Sequence, residues 1–233
     1  NKEFTEFYDD CIENTNTDGS LKQFKMHYFD VRFNNICNFK CRTCGGGFSS
    51  QWEQEDLKNN VSYARIFPKN DNPNFLQEIV DQVPNFKTAY FAGGEPLITE
   101  EHYILLEEMI RTKKSETVRL RYNTNMSNLK FKNKDILSLW KHFKNKIDIY
   151  ASIDHYGERA EYIRHGTDWA TVEENLIAAK KTPYINLQMN TVLSVFNFLT
   201  IGDFYRYLID KNLYTPHSYI YTLYNMSTPE HYT

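Results

Sequence analysis

The sequence predicts an α/β fold built on a parallel sheet, and three observations carry that prediction. Apolar, β-branched segments of five to nine residues recur six times, amphipathic stretches of helical length separate them, and polar residues gather at the segments' carboxyl ends. Parallel strands need long crossovers, and regular strand and helix alternation supplies them. Six such units fit either an open doubly wound sheet or a partial barrel, and in both folds functional groups collect at the carboxyl ends of the strands.

The elements follow in order. A strand over 26–33, "MHYFDVRF", runs into the loop "NNICNFKCRTCGGGFSS", and helices are expected near 49–59 and 74–82. The strand 88–92, "TAYFA", runs into "GGEP" at Gly93, Gly94, Glu95 and Pro96. In the helix 100–113, Leu105, Leu106, Met109 and Ile110 form one apolar face, while Glu100 and Glu101 occupy the first turn, where the helix dipole favours negative charge. The strand 117–122, "TVRLRY", ends in polar Asn123, Thr124 and Asn125, and a helix is expected over 133–144. The strand 146–153, "KIDIYASI", delivers Ser152 and Asp154. The helix 168–181 buries Val172, Leu176 and Ala179, with a capping box at Thr171 in "TVEE". The strand 185–193 carries Asn190 and Thr191, and a helix over 199–211 leads to the last strand, 217–224. This divides the chain into a lead-in over 1–25, one α/β domain over 26–225 and a tail over 226–233.

At 233 residues the chain can bury one substantial core. Its 27 basic and 30 acidic side chains give a net charge of -3 without a basic stripe, so no nucleic-acid partner is expected. No apolar stretch approaches the roughly 20 residues of a membrane span, and "NKEFTEFYDD" lacks the apolar core of a signal peptide. The expectation is a soluble, cytoplasmic protein with no membrane partner. The chain does not begin with methionine, so it also reads as a piece of something longer.

Four cysteines are too few for a disulfide framework, yet Cys37, Cys41 and Cys44 fall within eight residues. A redox Cys41–Cys44 disulfide leaves Cys37 unexplained. Structural zinc wants four closed ligands, and Cys11 or His27 would have to complete the set from a distance. An iron–sulfur cluster on three thiolates accounts for the number three, because it leaves one iron open. The seven histidines show no paired spacing and read as surface or satisfied polar groups. Tyr and Phe read mostly as packing, and Trp52 as a residue packing the helix after the cysteine loop.

"CNFKC" followed by "RTC", with "GGEP" on the next strand, resembles the CxxxCxxC and second motifs of the radical S-adenosylmethionine (radical SAM) enzymes. The resemblance implies a partial, six-unit (β/α) TIM-like barrel. It also implies a 4Fe-4S cluster on Cys37, Cys41 and Cys44, with S-adenosylmethionine (SAM) chelating the fourth iron. Reduction would cleave SAM to a 5'-deoxyadenosyl radical that abstracts hydrogen from a substrate. By the same resemblance Gly93, Gly94 and Glu95 meet the SAM amino group, Ser152 and Arg164 its carboxylate, Asn125 lies near SAM or substrate, and Asn190 near the ribose. An arginine fork suits a carboxylate, although Arg164 could instead pair with Glu161 at helical spacing. Thr43 departs from the aromatic residue common before the last cysteine. Gly45 to Gly47 would let the backbone fold tightly around a cluster.

The stretch "RFNNICNFKCRTCGGGFSSQW" looks like the branch with twitch or SPASM-type extensions, although no cysteine follows Cys44. That branch implies a peptide, protein or small-molecule substrate and an electron donor such as flavodoxin or ferredoxin. The competing class is a non-catalytic zinc or iron–sulfur module, or a degenerate homologue that binds without catalysis.

Overall fold

The computed structural model describes residues 5–30, 32–61, 72–216 and 219–222. Its core is a six-stranded sheet of β1 (Tyr28–Phe29), β2 (Thr88–Phe91), β3 (Arg119–Thr124), β4 (Ile147–Ser152), β5 (Ile185–Leu193) and β6 (Tyr219–Thr222). Every neighbouring pair is parallel and the spatial order equals the chain order. A doubly wound sheet reverses its strand order at a switch point, and no reversal occurs here. Among the described residues no pairing joins β6 to β1, so the sheet is a barrel left open.

The helices are α1 (Tyr8–Glu13), α2 (Ser50–Lys58), α3 (Phe75–Gln82), α4 (Glu100–Arg111), α5 (Ile136–Trp140), α6 (Gly157–Ile163), α7 (Trp169–Lys181) and α8 (Ile201–Asp210). One face of the sheet is apolar: Leu120, Tyr122, Ile147, Ile149, Leu187 and Met189 are buried in a single core with Leu105, Leu106 and Met109 of α4, Trp140 of α5, Val172 and Leu176 of α7, and Phe204 and Leu208 of α8. The alternate residues face the other way. Tyr28, Tyr90, Arg121, Asn123, Tyr150 and Asn190 line a lumen of about 530 Å³. The period-2 rule of strands thus separates a dry outer wall from a polar interior.

Several expectations shift. The first strand contracts to two paired residues. The third slides two residues onward, so Asn123 and Thr124 lie in the ladder rather than beyond it. The helix expected over 133–144 shrinks to α5, because Lys130–Phe131 and Lys134–Asp135 form a small antiparallel hairpin ahead of it. Asp168 caps α7 by accepting from the Thr171 N–H at 3.3 Å, so the cap lies three residues before the predicted box. Residues 217, 218, 223 and 224 of the last expected strand lie outside the described residues.

His102 and His155 are both buried, and only His155 has partners on both ring nitrogens. His102 is 2% exposed, with Nε2 2.9 Å from the Tyr122 hydroxyl and Nδ1 unpartnered among the described residues. Burial pushes its pKa down to about 3, so it stays neutral in the fold while an unfolded histidine near 6.5 takes up a proton. Stability therefore falls as pH drops through the window from 6.5 towards 3. A denaturant series across that window is expected to show a flatter acid limb for His102→Gln than for the parent.

Two glycines give a second contrast. Gly157 has φ +57° and an added Cβ would meet nothing, so Gly157→Ala is expected to cost about 1 kcal/mol. Gly94 has φ +55° and its Cβ would stand 2.3 Å from the Ile36 carbonyl oxygen, so Gly94→Ala must move backbone and is expected to cost several times more in the same assay.

Candidate active site

The loop after β1 is held by its own polar side chains. Asn35 donates to the Gly46 carbonyl at 2.9 Å and to Glu53 of α2 at 2.8 Å. The Ser50 hydroxyl accepts from the Cys37 N–H and donates to the Cys37 carbonyl, both at 3.2 Å. Ser49 caps α2, accepting from the Trp52 N–H, and donates to the Phe39 carbonyl at 2.6 Å. Trp52 Nε1 donates to the Cys41 carbonyl at 2.8 Å, so this indole anchors the cysteine loop as well as packing its helix. Lys40–Cys41 pairs antiparallel with Arg164–His165, which sets Cys41 opposite Arg164. The Cys44 N–H closes a turn on the Cys41 carbonyl at 3.0 Å. None of Gly45, Gly46 and Gly47 has positive φ, and a Cβ on Gly45 would meet nothing. Packing does require two other glycines: Gly94 against Ile36, and Gly166, at φ +107°, against the Asn38 carbonyl oxygen.

Those two turns both press on the loop, one at Ile36 and the other at Asn38. The Glu95 N–H donates to the Ile36 carbonyl at 2.7 Å. Its carboxylate, 1% exposed, accepts from Leu97 N at 3.1 Å, Thr124 Oγ1 at 2.7 Å and Asn125 N at 2.7 Å. Burial pushes this carboxyl up to about 7, against the pull of those three donors. Asn125 is equally engaged: its Nδ2 donates to Asn38 at 3.0 Å and its Oδ1 accepts from Ser127 N at 2.9 Å.

The result is a cleft of about 330 Å³ at the carboxyl ends of the strands. Cys37, Cys41 and Cys44 form one wall, Gly93, Gly94 and Glu95 another, and Asn125, Ser152 and Arg164 complete it. Nine of the ten residues singled out from the sequence thus line one cavity. Asn190 stands apart from them in the lumen, where its Oδ1 is buried and unpartnered among the described residues. Tyr90 and Asn123 line both spaces, so cleft and lumen adjoin.

Arg164 pairs with Asp154 and not with Glu161, whose carboxylate instead accepts from Trp169 N at 3.0 Å. Arg164 Nε lies 2.8 Å from Asp154 Oδ2, and Nη2 donates to Oδ1 at 3.0 Å. Thr191, also noted at a strand end, turns outward and donates to the Ile153 carbonyl at 2.8 Å.

The chemistry of the donor set fits a multinuclear cluster better than zinc. Burial pushes the Cys37 thiol up to about 12, the Cys41 thiol to about 11, and raises Cys44 as well. A metal's positive charge is what holds such buried sulfurs as thiolates. The groups that would complete a zinc site are elsewhere: Cys11 is exposed on α1, and His27 faces Asp10 and the Asn85 carbonyl. Among the described residues no three His, Cys, Asp or Glu side chains are grouped to hold one metal ion.

Sequence reasoning missed Arg32, Tyr90 and the lumen tyrosines. Arg32 lines the cleft, its side chain lies across Gly93, and its guanidinium stands 5.9 Å from the centre of the Tyr90 ring. The signal was the period-2 row: Arg121 and Asn123 on β3, and Tyr150 and Ser152 on β4, occupy the face opposite the apolar residues.

Among the described residues no helix is long and apolar enough to cross a membrane. Comparison with curated protein sequences gives no match. Among solved structures the fold resembles native anSMEcpe with bound AdoMet, another abbreviation for SAM, at TM-score 0.57 and 20% identity over 84% of this chain and 51% of that one. It also resembles Streptococcus suis SuiB bound to precursor peptide SuiA, at TM-score 0.54 and 14% identity over 91% of this chain and 42% of that one. The chain spans about half the length of these structures. The model of the Radical SAM superfamily matches residues 31–208, which take in the cysteine loop, the GGEP turn, the four strands β2 to β5 and most of α8. With three-quarters of its length matched, the chain belongs to the radical SAM superfamily, whose enzymes use a 4Fe-4S cluster and SAM.

Proposed function

We propose that this chain cleaves SAM reductively and passes the resulting radical to a peptide segment seated in the barrel lumen. The observation that carries the reading is the single cleft that brings three buried cysteines, the Gly93–Gly94 turn and Ser152 to the mouth of a polar lumen. Cys37, Cys41 and Cys44 would hold a 4Fe-4S cluster with one iron open to SAM, and that cluster supplies the electron that breaks a carbon–sulfur bond of SAM to give a 5'-deoxyadenosyl radical. The remaining steps belong to the chain's own residues.

Gly93 and Gly94 line the cleft at positive φ, and a ligand's ammonium would meet their backbone beside the Arg32 side chain that lies across Gly93. The Glu95 carboxylate favours that positive charge, while its three internal donors fix it as the tie between the ends of β2 and β3. Asn125 acts in the same way, holding Asn38 of the cysteine loop. Ser152, on the cleft wall at the end of β4, offers a hydroxyl to the ligand's carboxylate. Asn190 is set deeper, where its unpartnered Oδ1 can accept from a ribose hydroxyl or from substrate. Tyr28, Tyr90, Tyr150 and Arg121 give the lumen hydroxyl groups, aromatic surface and one guanidinium, a lining suited to the amides and side chains of a peptide. SuiB bound to a precursor peptide and anSMEcpe bound to Kp18Cys peptide support that substrate class.

The first test is composition. Protein reconstituted without oxygen is expected to be brown with about four irons per chain. Replacing Cys37, Cys41 or Cys44 by Ala is expected to remove the colour and most of the iron, whereas Cys11→Ala keeps both. A colourless protein holding one zinc would contradict the reading. The second test follows the hydrogen atom. With dithionite, SAM and a pool of perdeuterated peptides, 5'-deoxyadenosine is expected to form and to carry deuterium. Unlabelled 5'-deoxyadenosine would mean that SAM is cleaved without abstraction from peptide.

A further inference from the structure

We propose that Arg164 sets the reduction potential of the cluster held by Cys37, Cys41 and Cys44, through an N–H donated to the Cys41 sulfur from a guanidinium locked by Asp154. The inference rests on the cluster reading above. Arg164 Nη1 lies 3.7 Å from Cys41 Sγ, within the longer reach of a hydrogen bond to sulfur. The other two nitrogens face the carboxylate: Nη2 donates to Asp154 Oδ1 at 3.0 Å, and Nε stands 2.8 Å from Oδ2 as an ion pair without hydrogen-bond geometry. Two nitrogens of the guanidinium thus lie on the carboxylate, one by a hydrogen bond, and the third is directed at the sulfur.

Nothing in this arrangement is loose. The antiparallel ladder sets Arg164 opposite Cys41, and the close approach of Gly166 to the Asn38 carbonyl holds the turn that follows. Asp154 is 1% exposed and its Oδ1 also accepts from Val192 N at 2.8 Å, which fixes the carboxylate to β5. The Arg164 side chain is only 12% exposed.

The consequence is electrostatic. One-electron reduction of the cluster adds one negative charge and makes or breaks no bond, the electron coming from an external reductant. A donor and a positive charge beside a ligating sulfur stabilise the reduced state more than the oxidised one, and hydrogen bonds to cluster sulfurs are an established lever on potential. Arg164 thus raises the potential, and the Asp154 carboxylate behind it moderates the rise.

The test is a potentiometric titration of the reconstituted protein with dithionite, without SAM, followed by electron paramagnetic resonance. Arg164→Gln is expected to keep its iron and to lower the equilibrium constant for reduction at least tenfold, which is about 59 mV for a one-electron couple. Arg164→Lys, which keeps the charge, is expected to restore part of the shift. Asp154→Asn is expected to move the midpoint the opposite way, because it leaves the guanidinium charge without its counter-charge. An iron-replete Arg164→Gln protein with the parental midpoint would overturn the proposal, as would shifts of the same sign in Arg164→Gln and Asp154→Asn. If Arg164→Gln fails to assemble, the Asp154→Asn and Arg164→Lys midpoints decide. Wild-type protein without any reducible cluster would overturn the cluster reading too, and so is distinct from an unchanged midpoint.

Discussion

The buried carboxylate of Glu95 is the tie on which the rest of the site depends. It sits at the end of β2, takes hydrogen bonds from Thr124 and Asn125 at the end of β3, and its own N–H reaches the carbonyl of Ile36. Three separate parts of the chain are thereby fixed to one residue. A buried carboxyl with its pKa raised to about 7 is costly to hold, and the three donors are what offset the loss of water. Gly94 must precede it, because only a residue without Cβ lets the turn press against the cysteine loop.

The second clamp obeys the same logic with different residues. Arg164 and Asp154 form a buried pair anchored to β5 and to the short strand beside Cys41. Removing one member leaves the other charge alone in a dry setting, a far larger loss than that of a surface ion pair. Cysteines spaced three and two residues apart on a flexible loop would not by themselves define a metal site. The two clamps, the Ser49 and Ser50 contacts and the Trp52 bond to the Cys41 carbonyl hold the loop that carries all three.

Much of this was legible in the sequence, for physical reasons. Strands β3, β4 and β5 could be read because their outward faces are apolar at period 2, and the long helices because α4 and α7 each bury a stripe at helical spacing. The cysteine loop and the GGEP turn were legible as local chemistry. What the sequence hid was long-range. That Arg164 would choose Asp154 over Glu161 depends on a ladder between segments more than a hundred residues apart. That Glu95 and Asn125 would spend their polar groups inside the protein depends on strand register. The lumen was hidden differently: its tyrosines look like core residues in composition, and only their place in the alternation, opposite the apolar wall, turns them inward. Gly94 and Gly166, which press on the cysteine loop from distant parts of the chain, carried no local signal for that contact.

The central claim is that three cysteines leave one iron for SAM to occupy. Electron–nuclear double resonance on the reduced protein with SAM labelled with nitrogen-15 in its amino group and carbon-13 in its carboxylate measures that contact directly. Hyperfine coupling of the cluster spin to both labels is the predicted result. A reduced cluster whose spectrum shows no coupling to either label would contradict the account.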